Sequence, residues 1–212
     1  MKIAIVGRGE LASELYSLIT ASSETDRYEK IFFVDLTGDE EHNVMAEEEF
    51  FHTPPDQTDI LIAMGEPFMR RKMFEKYSSR GFRMTSYIHP LAYVSAEADI
   101  GSGTIAFPHV YIAPYVTTGD NTIFHTGAKI ENNCRIGSNC FISLNAFVGA
   151  KAGIGDNCFI GPSASIRDSL LIGEDSIIGM GSVVTKSVAQ GSVCYGNPAR
   201  RVRENTTHKV FQ

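Results

Sequence analysis

Two groups of residues in this chain have the spacing to do chemistry, and they lie in different halves. The first is Gly7-Arg8-Gly9-Glu10-Leu11-Ala12, a G-x-G-x-x-A turn that directly follows the apolar run 2–6 and opens a helical stretch reaching about residue 21. Glycines at such a turn let backbone N–H groups approach a phosphate at the helix N-terminus, where the dipole favours an anion. Asp35 ends a second apolar run, 31–35, and is placed to accept from a ribose hydroxyl; Gly65 closes a third, 59–64. The second group is a basic tail. Lys186, Arg200, Arg201, Arg203 and Lys209 face one acid, Glu204, and arginine forks suit phosphate oxygens. No Cys/His spacing resembles a zinc site, so no metal is expected.

The elements that must hold these groups differ sharply. Residues 1–86 read as strand, glycine turn and helix, then strands at 31–35 and 59–64, a helix over 67–80 that starts at Pro67, and a last strand at 84–88. This is a half-size Rossmann-like parallel α/β domain. It is too small for a dinucleotide and of a size for one nucleotide, as in a nucleotide-sugar. The acidic stretch 38–51 reads as a solvated loop or helix face.

From Ile88 to Val184 every sixth residue obeys one rule without insertion. Fourteen of these seventeen positions are Ile or Val; Ala106, Thr118 and Phe124 are the others. Four residues behind each sits a small residue in most cases, among them Ala92, Ala98, Thr104, Ala128, Cys134, Cys140, Ala146, Cys158 and Ser182. A period of six fits neither an amphipathic helix nor an alternating strand. It fits a coil of three short flat sides, whose inward aliphatic stacks on its equivalent eighteen residues on, and whose corners take Gly, Asn and Asp. Residues 87–186 are therefore expected to form a parallel β-helix, and 187–212 a tail. Cys134, Cys140 and Cys158 fall on the small-residue positions and read as core fillers that stay thiols.

The chain has 212 residues and a net charge of −6, which argues against nucleic acid as the main partner. No run approaches membrane-spanning length and the first residues hold too short an apolar run for a signal peptide, so a cytoplasmic protein with no membrane partner is expected.

An α/β mononucleotide domain followed by a hexapeptide β-helix resembles the bacterial NeuD/PglD-like sugar acyltransferases, which include nucleotide-amino-sugar N-acetyltransferases. The motifs are Gly7-Arg8-Gly9, Tyr87-Ile88-His89-Pro90, the six-residue lattice, the segment from Ile178 to Lys186, and Tyr195-Gly196-Asn197-Pro198-Ala199-Arg200. The resemblance implies a left-handed coil and a homotrimer with the active site between subunits. It also implies acetyl-CoA as co-substrate, held by Phe141, Gly161, Gly179, Met180, Gly181, Ser182, Lys186 and Arg200, with glycines leaving room for the pantetheine arm. A nucleotide-linked amino sugar would be held by Gly7, Arg8, Gly9, Glu10, Asp35 and Gly65.

The resemblance breaks at the base. Where the family carries a catalytic histidine, commonly followed by an acid or a second histidine, this chain has Asn132 and Asn133; a further histidine nine residues on is Phe141. A carboxamide cannot act as a general base. One reading is N-acetylation by direct attack of an amine, with Asn132 orienting the reactants. A second is O-acylation with His125, or His109, as the base. A third is a binding or assembly module without catalysis.

Overall fold

The computed structural model describes residues 1–22 and 28–210. They divide into two compact units, one of Met1–Gly65 with Met69–Tyr87, the other of Glu66–Phe68 with Ile88–Gln212.

The first unit is a five-stranded parallel sheet. In chain order its elements are β1 (Lys2–Val6), α1 (Glu10–Ala21), β2 (Lys30–Asp35), β3 (Val44–Ala46), α2 (Glu47–Phe50), β4 (Thr58–Ile62), α3 (Pro67–Ser78) and β5 (Arg83–Met84). The strand order is β3-β2-β1-β4-β5, so the order reverses at β1. Both faces of the strands are covered, and β1 after Lys2 and β4 after Asp59 read as aliphatic runs for that reason. Ala4, Val6, Phe32, Val34, Ile60 and Ile62 share a core with Phe50, Tyr77 and Phe82. Phe50 and Phe82 stack at 4.8 Å between centroids.

Two sequence readings are corrected here. The expected strand over 84–88 is two short pieces, Arg83–Met84 and Tyr87–Ile88. The acidic stretch 38–51 is not wholly solvated. It contains β3, too short to show a period of two, and Glu47 is buried. Its carboxylate takes hydrogen bonds from Lys76 and, at 3.0 Å, from the Tyr77 hydroxyl. A carboxylate out of water must be paired, and these two donors from α3 do it. The buried Tyr77 hydroxyl beside that carboxylate has its pKa pushed far above the usual phenol range, by burial first and by Glu47 second.

The second unit is a left-handed parallel β-helix. Each side is a two-residue strand in parallel register with the side one coil on: Ile112 opposite Ile130, Ile130 opposite Val148, Ile142 opposite Ile160. The aliphatic lattice points inward from Ala106 to Val184, and most of its members are fully buried. The first coil is open. Ile88 is 36% exposed, and Val94 and Ile100 are only partly buried. The lattice therefore begins one coil before the core closes.

One corner shows why composition follows position. Asn121, Asn139, Asn157 and Asp175 recur every eighteen residues with φ between 56° and 59°. Asn and Asp tolerate that left-handed conformation best after glycine. Asn121 donates to the Asn139 side-chain oxygen at 2.8 Å. Just before that corner a Cβ on Gly137 would come within 2.6 Å of the Asp156 nitrogen, so only glycine lets the coils stack. The small residues after the corner close it. Thr122, Cys140, Cys158 and Ser176 each donate to a backbone oxygen one coil on, at 2.9, 3.1, 3.1 and 3.2 Å. The cysteines are thus free, buried fillers. Burial pushes the Cys134 thiol up to about 11 and Cys158 well above its ordinary value, which keeps both unreactive. Cys194, off the six-residue lattice, joins the same core.

Past Val184 the coil is cut short. Ser192–Gly196 pairs in parallel with the strand at 177–178, and Ala199–Glu204 folds back antiparallel on it. Among the described residues no helix is long and apolar enough to cross a membrane.

Candidate functional site

In the first unit the candidate groups gather at the C-terminal ends of β1, β2 and β4. Gly7 has φ +112°, and a Cβ there would sit 3.1 Å from the Ala63 oxygen and 3.5 Å from the Met64 side chain. Its glycine identity is therefore forced by the close approach of the β1 and β4 turns. The Gly7 N–H is already spent on the Val34 oxygen, at 3.0 Å, so it is not a phosphate donor. Gly9 is the N-cap of α1, with no side-chain cap and open space where a Cβ would be. The first turn of α1 thus has no side-chain cap, and Glu10 in that same turn offsets part of the dipole. One Asp35 oxygen accepts from the Leu36 N–H at 2.7 Å, leaving the other for a hydroxyl. Gly65 is half-buried after β4.

Arg8 is not free to swing. Its guanidinium lies 2.8 Å from Asp39, and Asp39 also holds His42 Nδ1 at 2.9 Å. Desolvation pushes the Asp39 carboxyl up, but its hydrogen bonds to His42 and the His42 and Arg8 charges outweigh that and hold it below its ordinary value. Nothing in the sequence shows this trio, because Asp39 and His42 sit in the β2–β3 loop with no periodicity.

In the second unit Asn132 and Asn133 form a corner. Asn133 has φ 61°, as do Tyr115, Lys151 and Ser169 in the same column, so its identity answers to the backbone. Asn132 is exposed. Its main-chain oxygen accepts from the Lys151 N–H at 2.9 Å, and among the described residues its carboxamide makes no hydrogen bond. Glu131 and Asp168 lie near enough to raise the buried Cys134 thiol beneath, after burial itself. The corner thus presents a carboxamide and two carboxylates, and no imidazole.

His125 is on a different side. Its ring stacks on Phe107 at 4.5 Å and faces Phe141 at 5.9 Å, and Phe141 stacks on Phe159 at 5.6 Å. All four are buried. The imidazole is thus packed as an aromatic plate. His109 is exposed, with φ 61° at a corner. Of the other outward aromatics, Tyr111 and Tyr115 are exposed and Phe147 is half-buried. His208 pairs with Asp175 at 3.2 Å.

The glycines assigned to the coenzyme arm separate into three cases. A Cβ on Gly161 would meet the Met180 nitrogen at 2.7 Å, so coil stacking demands that glycine. A Cβ on Gly179 would fall 1.8 Å from Tyr195 Cδ1, so the room there is filled by the Tyr195 ring. Gly181 has φ +64° and open space around it. The expectation of three open glycines is therefore corrected to one. Met180 is 73% exposed. Lys186 and Arg200 are exposed, and Ser182 is buried with its hydroxyl accepting from the Gly196 N–H at 3.2 Å. The sequence hid the Tyr195 contact because the last strand sits sixteen residues, not eighteen, beyond its partner: Cys194 pairs with Ile178.

Gly179→Ala is expected to displace the Tyr195 ring at a cost of about 1–3 kcal/mol. Gly181→Ala, strained only by its positive φ, should cost about 1 kcal/mol. The chain has no Trp, so tyrosine fluorescence with thermal unfolding reads both. An unchanged melting temperature for Gly179→Ala would mean Tyr195 is not packed there.

The family described as bacterial transferase hexapeptide (six repeats) matches residues 151–186, and hexapeptide repeat of succinyl-transferase matches residues 127–149. Over the whole length, the chain is similar to the acetyltransferase domain of PglB from Neisseria gonorrhoeae. Identity is 27%, TM-score 0.88, covering 95% of this chain and 99% of that one. The same domain in complex with acetyl coenzyme A matches at 27% and TM-score 0.89, covering 95% and 98%. PerB from Caulobacter crescentus, solved with CoA and GDP-perosamine, shares the fold at 23% identity and TM-score 0.78, covering 96% and 98%.

Proposed function

We propose that this chain, built as a hexapeptide-repeat sugar acyltransferase of the NeuD/PglD-like kind, moves the acetyl group of acetyl-CoA to the amine of a nucleotide-linked amino sugar, for a surface glycan. The observation that supports it best is the whole-length likeness to an acetyltransferase domain solved with acetyl coenzyme A. In this reading the α/β unit takes the nucleotide at the α1 N-terminus, with Asp35 on the ribose and Arg8, Glu10 and Gly65 around the crevice. The β-helix takes the coenzyme near Phe141, Gly161 and residues 179–182, with Lys186 and Arg200 toward its phosphates. The assembly is a homotrimer with the reaction between subunits, in the cytoplasm.

The neutral amine nitrogen attacks the thioester carbonyl carbon, the C–S bond breaks, the pair leaves on CoA sulfur, and the ammonium proton passes to that thiolate or to water. An amino-sugar amine is partly unprotonated near neutral pH, so holding it against the thioester supplies most of the catalysis. Asn132 orients the acceptor or the thioester oxygen, with Asn133 setting the corner. A hydroxyl acceptor is a far weaker acid and needs a base. The O-acylation reading therefore rests on His125, which is buried between rings. The third reading, a binding module, predicts nucleotide binding without acetyl-CoA binding.

Calorimetry with acetyl-CoA and with UDP- and GDP-linked amino sugars tests this. Micromolar binding of both ligands, with acetylated product on mixing, is the expected result. Nucleotide-sugar binding with no coenzyme binding would leave only the binding module.

A further inference from the structure

The bulkiest of the fully buried side chains is not apolar; it is Arg70, in α3. A guanidinium taken out of water must be offset by close partners. Its NH1 donates to the main-chain oxygen of Met64 at 2.8 Å. Met64 and Gly65 follow β4, and the Ala63 N–H before them donates to the Val6 oxygen at 3.0 Å. On the other side of this joint lies Gly7, whose missing Cβ would be 3.1 Å from the Ala63 oxygen and 3.5 Å from Met64 Cγ. Thus the turns after β1 and β4 are in van der Waals contact where the strand order reverses, and Arg70 fixes the outer member of the pair.

We propose that Arg70 is a positioning residue for the nucleotide: acting through the Met64–Gly65 turn, it sets the width of the crevice that receives a nucleoside diphosphate. In open α/β sheets that crevice is formed by the turns flanking the reversal of strand order. A turn ending in glycine has little stiffness of its own. The hydrogen bond from Arg70 to the Met64 oxygen supplies it. This inference rests on the reading of the α/β unit as a nucleotide site.

The experiment measures UDP, GDP and acetyl-CoA affinities and the melting temperature for the full chain, Arg70→Met and Arg70→Lys. Arg70→Met is expected to lower the melting temperature, because it strips the Met64 oxygen of its donor, and to leave acetyl-CoA affinity within twofold. It should weaken the nucleoside diphosphate that the wild type prefers by about tenfold or more, since small misplacements of a binding edge carry losses of that order. Arg70→Lys, which retains a donor, should recover part of the loss. Nucleotide affinity within twofold of wild type in Arg70→Met overturns the inference while leaving the site reading intact, and so does a parallel loss of both ligands. A wild-type chain that binds neither diphosphate overturns the site reading and this inference together.

Discussion

Acetyl transfer by the wild-type chain to its amino sugar is expected to rise with pH and then level off, with a single ascending limb set by the acceptor ammonium. No imidazole lies at the Asn132 corner, so no enzyme group should add a limb near the ordinary histidine value of about 6.5. Asn132→Ala should lower kcat/KM about three- to tenfold, the loss of one orienting hydrogen bond. Asn132→His should do the opposite. Placing a base at an exposed corner beside Glu131 and Asp168 is expected to raise kcat about 100-fold and to introduce a limb near pH 6.5. The comparison is made by steady-state kinetics from pH 5 to 9 on these three proteins and His125→Ala. A bell-shaped wild-type profile, or full activity in Asn132→Ala with none in His125→Ala, would sink direct attack. The second outcome would return the base to His125 despite its packing.

The largest expected change in stability is at Phe124. It is the one aromatic on the inward lattice, fully buried, and the next coil down offers only Ala106 at the equivalent position. The pair is a large residue over a small one. Phe124→Ala would put two alanines in adjacent layers and leave a void that the stiff coil cannot collapse around. The cost is expected near the upper part of the range for such truncations, about 3–5 kcal/mol. Ala106→Phe should also destabilise, by overpacking. The double exchange, Ala106→Phe with Phe124→Ala, restores volume and should recover much of the loss. Denaturant unfolding of the four proteins checks this, and additivity of the two single changes would show that the positions do not share one space.

These examples show which parts of the molecule its sequence exposes. The β-helix is legible because one residue type recurs at a spacing that no other element uses, so position alone tells that Ile130 meets Ile112 and Val148. The strand–turn–helix of the first unit is legible from Gly7 to Ala12 for the same local reason. Interactions that depend on distant segments are not. Glu47 reads as one more acid in an acidic loop until α3 brings Lys76 and Tyr77 to it. Arg70 reads as one of several helix cations until its burial is seen. Gly179 reads as open until the sixteen-residue step lays Tyr195 over it. At the Asn132 corner the sequence tells the chemistry that is missing, and the structure adds that, among the described residues, the corner presents carboxylates and no imidazole in its place.

The corner ladder has a consequence for how such a chain can change length. Each coil rests only on the one before and the one after, through glycines that admit no Cβ and asparagines that recur at the same φ. Length is therefore quantised. Adding or deleting eighteen residues shifts every later side chain by one storey and leaves it on its own wall. Adding six turns the whole upper part of the tower by a third. Such an insertion between Lys151 and Asp168 would carry Gly179 from the wall it shares with His125 into register with Glu131, while leaving the buried lattice unbroken. Stability and the placing of outward side chains thus answer to different arithmetic. The core counts in sixes, while the wall on which an outward side chain stands is kept only in eighteens.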